Sequence, residues 1–218
     1  MNKYIDHTML AATATEEDIK KLCNEAIEYN FKAVCVNPTN VALAKQLLEG
    51  TDILVCTVVG FPLGANTTAT KVFEVKDAIA NGAEEIDMVI NSGKFKDKDY
   101  AYVIEEIKAL KAACGDVTLK VIVETAYLDD AEILKVSECV KEAKADFIKT
   151  STGFASRGAT IKDVELMKSV VKDDVLIKAA GGVRTPEDLE KIVAAGANRI
   201  GTSSGVKLVS GNKAEGGY

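Results

Sequence analysis

Two lysines stand where strands should be entering a core. Lys149 follows Phe147 and Ile148 and leads straight into "TSTG"; Lys178 follows Leu176 and Ile177 and leads into "AAGG". A third charge, Asp87, lies inside the apolar run "EIDMVIN". Buried charge is costly unless it is paired. Two ammonium groups held close together favour the neutral form of one of them, and burial acts in the same direction. A neutral amine attacks a carbonyl carbon and forms a Schiff base, chemistry that needs no metal and no organic cofactor. An aspartate beside it can carry protons. A single lysine in an apolar strand is more often ion-paired or snorkelling. Three charges converging from three strands shift the balance toward function.

Composition narrows the field. The chain has 218 residues, 47% of them hydrophobic and 28% charged, enough for one sizeable core. A formal net charge of -6 without a long basic run disfavours nucleic acid and anionic membranes as partners. No apolar run reaches the length of a membrane span, and "MNKYIDHTML" does not read as a signal peptide. Five cysteines (Cys23, Cys35, Cys56, Cys114 and Cys139) form no C-x-x-C pair and suit a reducing, cytoplasmic setting. Cys35 and Cys56 read as small buried hydrophobes. His7 is the only histidine. A metal site built on several His or Cys ligands is therefore not expected, nor is a Ser-His or Cys-His mechanism that bypasses His7.

Apolar runs of strand length recur at 33–37, 53–60, 85–91, 118–125, 147–151, 175–182 and 199–204, with a weaker one at 3–8. Helical patterns lie between them, as in Ile19, Leu22, Cys23, Ala26 and Ile27. Thr15-x-x-Asp18, Thr160-x-x-Asp163 and Thr185-Pro186-x-Asp188 read as helix starts. Strand alternating with helix implies a parallel sheet, and eight such units imply a closed (β/α)8 barrel. The alternative is an open doubly wound sheet, but no G-x-G-x-x-G follows the first strand. The whole of 1–218 reads as a single barrel domain with a flexible, glycine-rich tail from about residue 210.

Side chains alternate along a strand, so position assigns each charge to a face. In "EIDMVIN" the face with Ile86, Met88 and Ile90 should meet the helices, which turns Asp87 inward. The same reading points Asp6, Lys120, Glu124, Lys149 and Lys178 into the barrel: three acids against three bases. The turns "TSTG", "AAGGVR" and "GTSSG" add glycines at the carboxyl ends of three strands, where backbone N–H groups can approach an anion and Ser203 and Ser204 can open a short helix. Together they favour a phosphate site. On the residues alone, a sugar-phosphate isomerase, another Schiff-base aldolase or a phosphosugar-binding barrel without turnover stays open.

"IDHTML", "EIDMVIN", "LKVIVET", "FIKTSTGF", "IKAAGGVR" and "RIGTSSG", in this order, resemble the motifs of the deoxyribose-phosphate aldolase family, and the resemblance covers essentially the whole chain. It implies a class I aldolase on a (β/α)8 barrel, without a cofactor or metal. Such an enzyme reversibly cleaves 2-deoxy-D-ribose 5-phosphate to acetaldehyde and D-glyceraldehyde 3-phosphate. It implies Lys149 as the Schiff-base lysine, Lys178 as its neighbour that tunes it or moves protons, and Asp87 as proton donor and acceptor. It implies Gly153, Gly181, Gly182, Gly201, Ser203 and Ser204 as phosphate contacts, Asp6 and Lys120 as supporting residues, and Tyr218 as a terminal tyrosine that assists proton transfer. Where some members have a lysine after the "TSTG" glycine, this chain has Phe154, so Arg157 or Arg184 is expected to supply the positive charge. Partners are then a phosphosugar and acetaldehyde, and a homo-dimer or tetramer is compatible with such a barrel.

Overall fold

The structure, a computed structural model, describes residues 1–211. The chain runs β1 (Ile5–Met9), α1 (Glu16–Glu28), β2 (Ala33–Val36), α2 (Val41–Leu47), β3 (Leu54–Val59), α3 (Thr68–Ala80) and β4 (Glu85–Val89). It continues through α4 (Ser92–Lys96), α5 (Tyr100–Cys114), β5 (Thr118–Ile122), α6 (Asp130–Glu142), β6 (Phe147–Lys149) and α7 (Ile161–Val171). It closes with β7 (Leu176–Ala180), α8 (Pro186–Ala194), β8 (Arg199–Thr202) and α9 (Gly205–Val209). Each strand pairs in parallel with the next, and β8 returns to β1, so the sheet is a closed barrel in chain order. The expected (β/α)8 architecture is the one observed, and the weak first run is a strand from Ile5 onward.

The expected helix starts have a visible cause. Thr15, Thr160 and Thr185 each accept a hydrogen bond from the backbone N–H three residues on, and Asp18, Asp163 and Asp188 reach back to the capping residue. Asp129 and Glu132 do the same for α6. Each such cap satisfies donors that the first turn otherwise leaves open, worth about 1 kcal/mol. Inward of the caps, apolar stripes such as Ile19, Leu22, Cys23 and Ala26 on α1 are buried against the outer face of the sheet. Ile86, Met88 and Ile90 join that core, as alternation requires.

The barrel interior is divided. On the β1 to β3 side Leu10, Cys35, Cys56 and Val58 form a small apolar cluster, with Phe61 packed against it. The strands from β4 round to β1 carry the charges. Outside the barrel, a second buried charge system ties down the carboxyl end of β4. Lys71 on α3 donates to Glu106 Oε1 on α5 at 2.8 Å and to the Val89 carbonyl at 2.8 Å, while Glu106 Oε2 accepts from the Asn91 N–H at 3.0 Å. Both side chains are fully buried. Breaking a buried pair by removing one partner strands the other charge.

We expect Lys71→Met to lower the unfolding free energy by about 3–5 kcal/mol in urea denaturation. Replacing both partners, as Lys71→Met with Glu106→Leu, should recover most of that loss. A single variant as stable as the parent would show that the pair does not hold this end of β4.

Candidate active site

Barrel register brings the charges together. Lys149 and Lys178 are direct partners on β6 and β7, and Asp87 and Lys120 are partners on β4 and β5. Two parallel strands in register present neighbouring side chains to the same face, about 5 Å apart. The Asp87 carboxylate sits at the meeting point. Its Oδ2 lies 2.6 Å from Lys149 Nζ and 2.8 Å from Lys178 Nζ. Its Oδ1 lies 3.0 Å from Lys120 Nζ and accepts from the Cys56 thiol at 3.2 Å.

Below this layer the network continues. Lys178 Nζ is 2.5 Å from Asp6 Oδ2, and Asp6 Oδ1 is 2.7 Å from the Arg199 guanidinium. Arg199 also takes both oxygens of Glu85, each at 3.1 Å, and Glu85 pairs with Lys120 at 2.7 Å. Phe147 lies under the Arg199 guanidinium at 5.5 Å from ring centroid to charge. The sequence reading places Asp6, Asp87, Lys120, Glu124, Lys149 and Lys178 inward; it misses Glu85 and Arg199. The signal was present: Glu85 stands two residues before Asp87, and Arg199 two before Gly201, so both share the inward face.

The electrostatics sort the amines. Burial opposes the charge of Asp87, but Lys120, Lys149 and Lys178 outweigh it and hold the carboxyl well below the usual carboxylate range. Burial also works against the Lys178 ammonium, yet Asp6 and Asp87 keep it well above the ordinary lysine range. Lys120 is likewise pushed up, its burial outweighed first by Asp87. Lys120 and Lys178 are therefore fixed as cations. Lys149 contacts one carboxylate, Asp87, and ends its strand at the carboxyl end of the barrel.

The expected phosphate residues fall into two groups. Gly153, Gly181 and Gly182 line a cavity of about 400 Å³ at the ends of β6 and β7, together with Arg157 and Arg184. Gly182 has φ of 79°, and a Cβ there would come within 2.5 Å of the Ala159 carbonyl oxygen, so only glycine fits this close approach. Ser203 and Ser204 line a different cavity of about 360 Å³ between α1 and α9, with His7, Lys21 and Lys207. Gly201 lies within β8 opposite Asp6, and its carbonyl accepts from the Gly181 N–H. The two candidate arginines differ. Arg157 is committed to Asp163, at 2.5 Å, and to the Thr125 carbonyl. The Arg184 side chain is exposed and has no ion pair among the described residues. Tyr218 lies outside the described residues.

Cys35 and Cys56 are buried as expected, but they face the charged interior as well as apolar neighbours. They are partners in register, and their sulfurs lie within 4.8 Å of each other and of an Asp87 oxygen. Such a trio can in principle hold a cation, and one is already there: the Lys120 ammonium stands 3.4 Å from the Cys56 sulfur and 3.0 Å from Asp87 Oδ1.

A closed parallel barrel with an amine, a shared carboxylate and a fixed ammonium at its carboxyl end is equipped for imine chemistry on a carbonyl compound. Residues 1–211 match the model of the DeoC/LacD family aldolases, and the chain belongs to that family. It is 56% identical to the deoxyribose-phosphate aldolase of Staphylococcus carnosus over 99% of this chain and 98% of that one. A putative deoxyribose-phosphate aldolase from Coccidioides immitis superposes with a TM-score of 0.94 at 45% identity, covering 96% of this chain and 84% of that one. The tetrameric deoxyribose phosphate aldolase from Aeropyrum pernix does so with a TM-score of 0.88 at 33% identity, covering 96% and 89%.

The network makes stability depend on acid. Burial raises the Asp6 carboxyl, but Lys178 and Arg199 outweigh it and lower it from 3.8 to about 2. A carboxyl lowered on folding contributes stability above its ordinary value and loses it as pH falls through the folded value. Asp87 acts in the same direction. Unfolding free energy in urea should therefore drop by on the order of 2 kcal/mol or more between about pH 4 and pH 2. A flat profile across that window would contradict the network.

Proposed function

We propose that the chain is a class I aldolase that reversibly cleaves 2-deoxy-D-ribose 5-phosphate to acetaldehyde and D-glyceraldehyde 3-phosphate. The observation that carries this reading is Asp87 Oδ2 shared between Lys149 at 2.6 Å and Lys178 at 2.8 Å. An acid that bridges a fixed ammonium and a second amine is a proton exchange point built against a nucleophile. The names of the relatives point to the same substrate.

In the forward reaction the Lys149 amine attacks the substrate carbonyl carbon, and water leaves to give an iminium. The bond between the second and third carbons then breaks. Its electron pair flows to the iminium nitrogen as the hydroxyl on the third carbon loses its proton, and D-glyceraldehyde 3-phosphate departs. The enamine left on Lys149 takes a proton on carbon, and water releases acetaldehyde. Asp87 and Lys178 move the protons through a water molecule. Three carboxylates, Asp6, Glu85 and Asp87, face four cations in the connected cluster. Lys120 and Lys178 each contact two carboxylates, whereas Lys149 contacts one, which makes it the amine assigned as nucleophile. Asp6 and Lys120 fix the positions of Lys178 and Asp87.

For the phosphate, the reading uses Gly153, Gly181 and Gly182 with Arg184 in place of the lysine absent at Phe154, and Gly201, Ser203 and Ser204 from the neighbouring turn. Tyr218 is assigned to proton delivery to the enamine. The enzyme is assigned to the cytoplasm and to a homo-oligomer.

Lys149→Arg keeps the charge but removes the primary amine, and guanidinium stays protonated. We expect no turnover and no covalent capture of acetaldehyde by borohydride, with melting unchanged within a few degrees; mass spectrometry of the reduced parent should place the adduct on Lys149. Turnover near the parent's would sink the assignment. Tyr218→Phe should leave capture unchanged and slow exchange of the acetaldehyde methyl protons with deuterated water, read by NMR. Equal exchange rates would remove Tyr218 from the mechanism.

A further inference from the structure

Among the inward acids, Glu124 stands apart. Asp6, Glu85 and Asp87 are all paired with cations, whereas Glu124 has no ion pair among the described residues. It is 2% exposed. Its Oε2 accepts from both the N–H and the hydroxyl of Thr152. Its Oε1 is buried and has no hydrogen-bond partner. A buried acceptor left unmade is costly, more so when charged. Two other side-chain atoms share that status, and each has its own account. Asp6 Oδ2 is 2.5 Å from the Lys178 ammonium. His7 Nδ1 belongs to a ring held outside the barrel by Glu25.

Glu124 stands close to the nucleophile in the fold. Ile122 is the register partner of Lys149, and Glu124 follows two residues later, just past the end of β5 and roughly 7 Å nearer the carboxyl rim. The Val123 N–H donates to the Lys149 carbonyl and the Thr125 N–H to the Thr150 carbonyl, so the two strand ends stay locked on either side of Glu124. The backbone at Glu124 is left-handed, with φ of 52°, a conformation a glutamate adopts only under constraint. Thr152, which Glu124 grips, lies between Lys149 and Gly153. The hydroxyls along that segment are already used. Thr150 Oγ1 accepts from Ser151 and from the Ala180 N–H, and Thr152 Oγ1 accepts from the Phe154 N–H while donating to Glu124. Ser151 Oγ donates to Thr150, so among the described side-chain oxygens beside this segment Glu124 Oε1 is the one that is buried with no hydrogen bond at all.

We propose that Glu124 is a specificity-determining residue: its free carboxylate oxygen accepts a hydrogen bond from a hydroxyl on the substrate carbon that lies between the reacting carbonyl and the phosphate. The chemistry selects the ligand. A carboxylate repels phosphate, ignores a methyl group and accepts from O–H. A site built to bind a hydroxyl discriminates strongly against the analogue that lacks it, because the buried acceptor is then left unpaired. This inference rests on the aldolase reading and adds the recognition of the acceptor aldehyde to it.

The test uses the synthetic direction, with acetaldehyde as donor and two acceptors: D-glyceraldehyde 3-phosphate, and 3-phosphooxypropanal, which lacks the hydroxyl next to the carbonyl. In Glu124→Gln the single amide oxygen stays with the two Thr152 donors, leaving an NH2 where the free acceptor was. We expect kcat/KM for the hydroxylated aldehyde to fall about 10- to 100-fold and that for the deoxy analogue to change less than about threefold. Borohydride capture of acetaldehyde on Lys149 should match the parent. Equal losses on both aldehydes, or loss of capture with melting retained, overturn the proposal, since Glu124 then acts through Lys149 or Thr152. If the parent itself captures no acetaldehyde, the aldolase reading falls and takes this inference with it. Should Glu124→Gln melt far below the parent, Glu124→Asp, which withdraws the carboxyl by one methylene, is run on the same pair. The selective loss is expected there too, and its absence overturns the proposal equally.

Discussion

The site depends on one carboxylate. Asp87 is fully buried and meets three ammonium groups and a thiol within 3.2 Å. Remove it, and Lys149, Lys178 and Lys120 face one another without a counter-charge in a medium where like charges repel strongly. Its two oxygens divide the work: Oδ1 is occupied by Lys120 and Cys56, and Oδ2 is shared between the two lysines of β6 and β7. That division makes Lys178 a fixed cation and leaves Lys149 as the amine with the least anionic company.

A closed parallel barrel is the scaffold that can assemble such a group. Asp6 comes from β1, Asp87 from β4, Lys120 from β5, Lys149 from β6, Lys178 from β7 and Arg199 from β8. Residues far apart in the chain meet because the strands tilt around one axis and alternate residues point at it. The helices do the opposite task. Their apolar stripes cover the outer faces of the strands, so the interior is free to carry charge without exposing the sheet to water. The buried Lys71–Glu106 pair extends this to the loops, fixing the carbonyl of Val89 and the N–H of Asn91 just beyond Asp87.

Much of this was legible in the sequence, and the reason is periodicity. Eight short apolar runs alternating with helical patterns leave few topologies, and the alternation within "EIDMVIN" and "FIKTS" gives the face of each charge. Legibility stops where a residue's role depends on a partner from another strand. Glu85 and Arg199 sit at strand starts, where a charge reads as an ordinary solvated end. Only closure of the barrel puts them together at its floor. Cys35 and Cys56 read as hydrophobes because their strands are apolar, while their contact with Asp87 is a matter of register between β2, β3 and β4. The split of the glycine turns from Ser203 and Ser204, and the commitment of Arg157 to Asp163, are likewise long-range facts that no local pattern carries.

The cost of the network argues for its purpose. Seven charged groups, from Arg199 at the floor to Lys149 at the mouth, are held almost entirely away from water. Their mutual attraction offsets desolvation only because each is hydrogen-bonded, and a barrel filled with well-packed Leu, Ile and Met in the same volume would be as stable or more so. The β1 to β3 side of the same interior shows that this sequence also fills volume with uncharged groups: Leu10, Cys35, Cys56, Val58 and Phe61 pack there, with Cys56 at the border donating to Asp87. Folding therefore does not require charge in the remaining interior. What requires it is a reaction in which one amine must be a nucleophile, its neighbour must stay a cation, and a single acid must serve both.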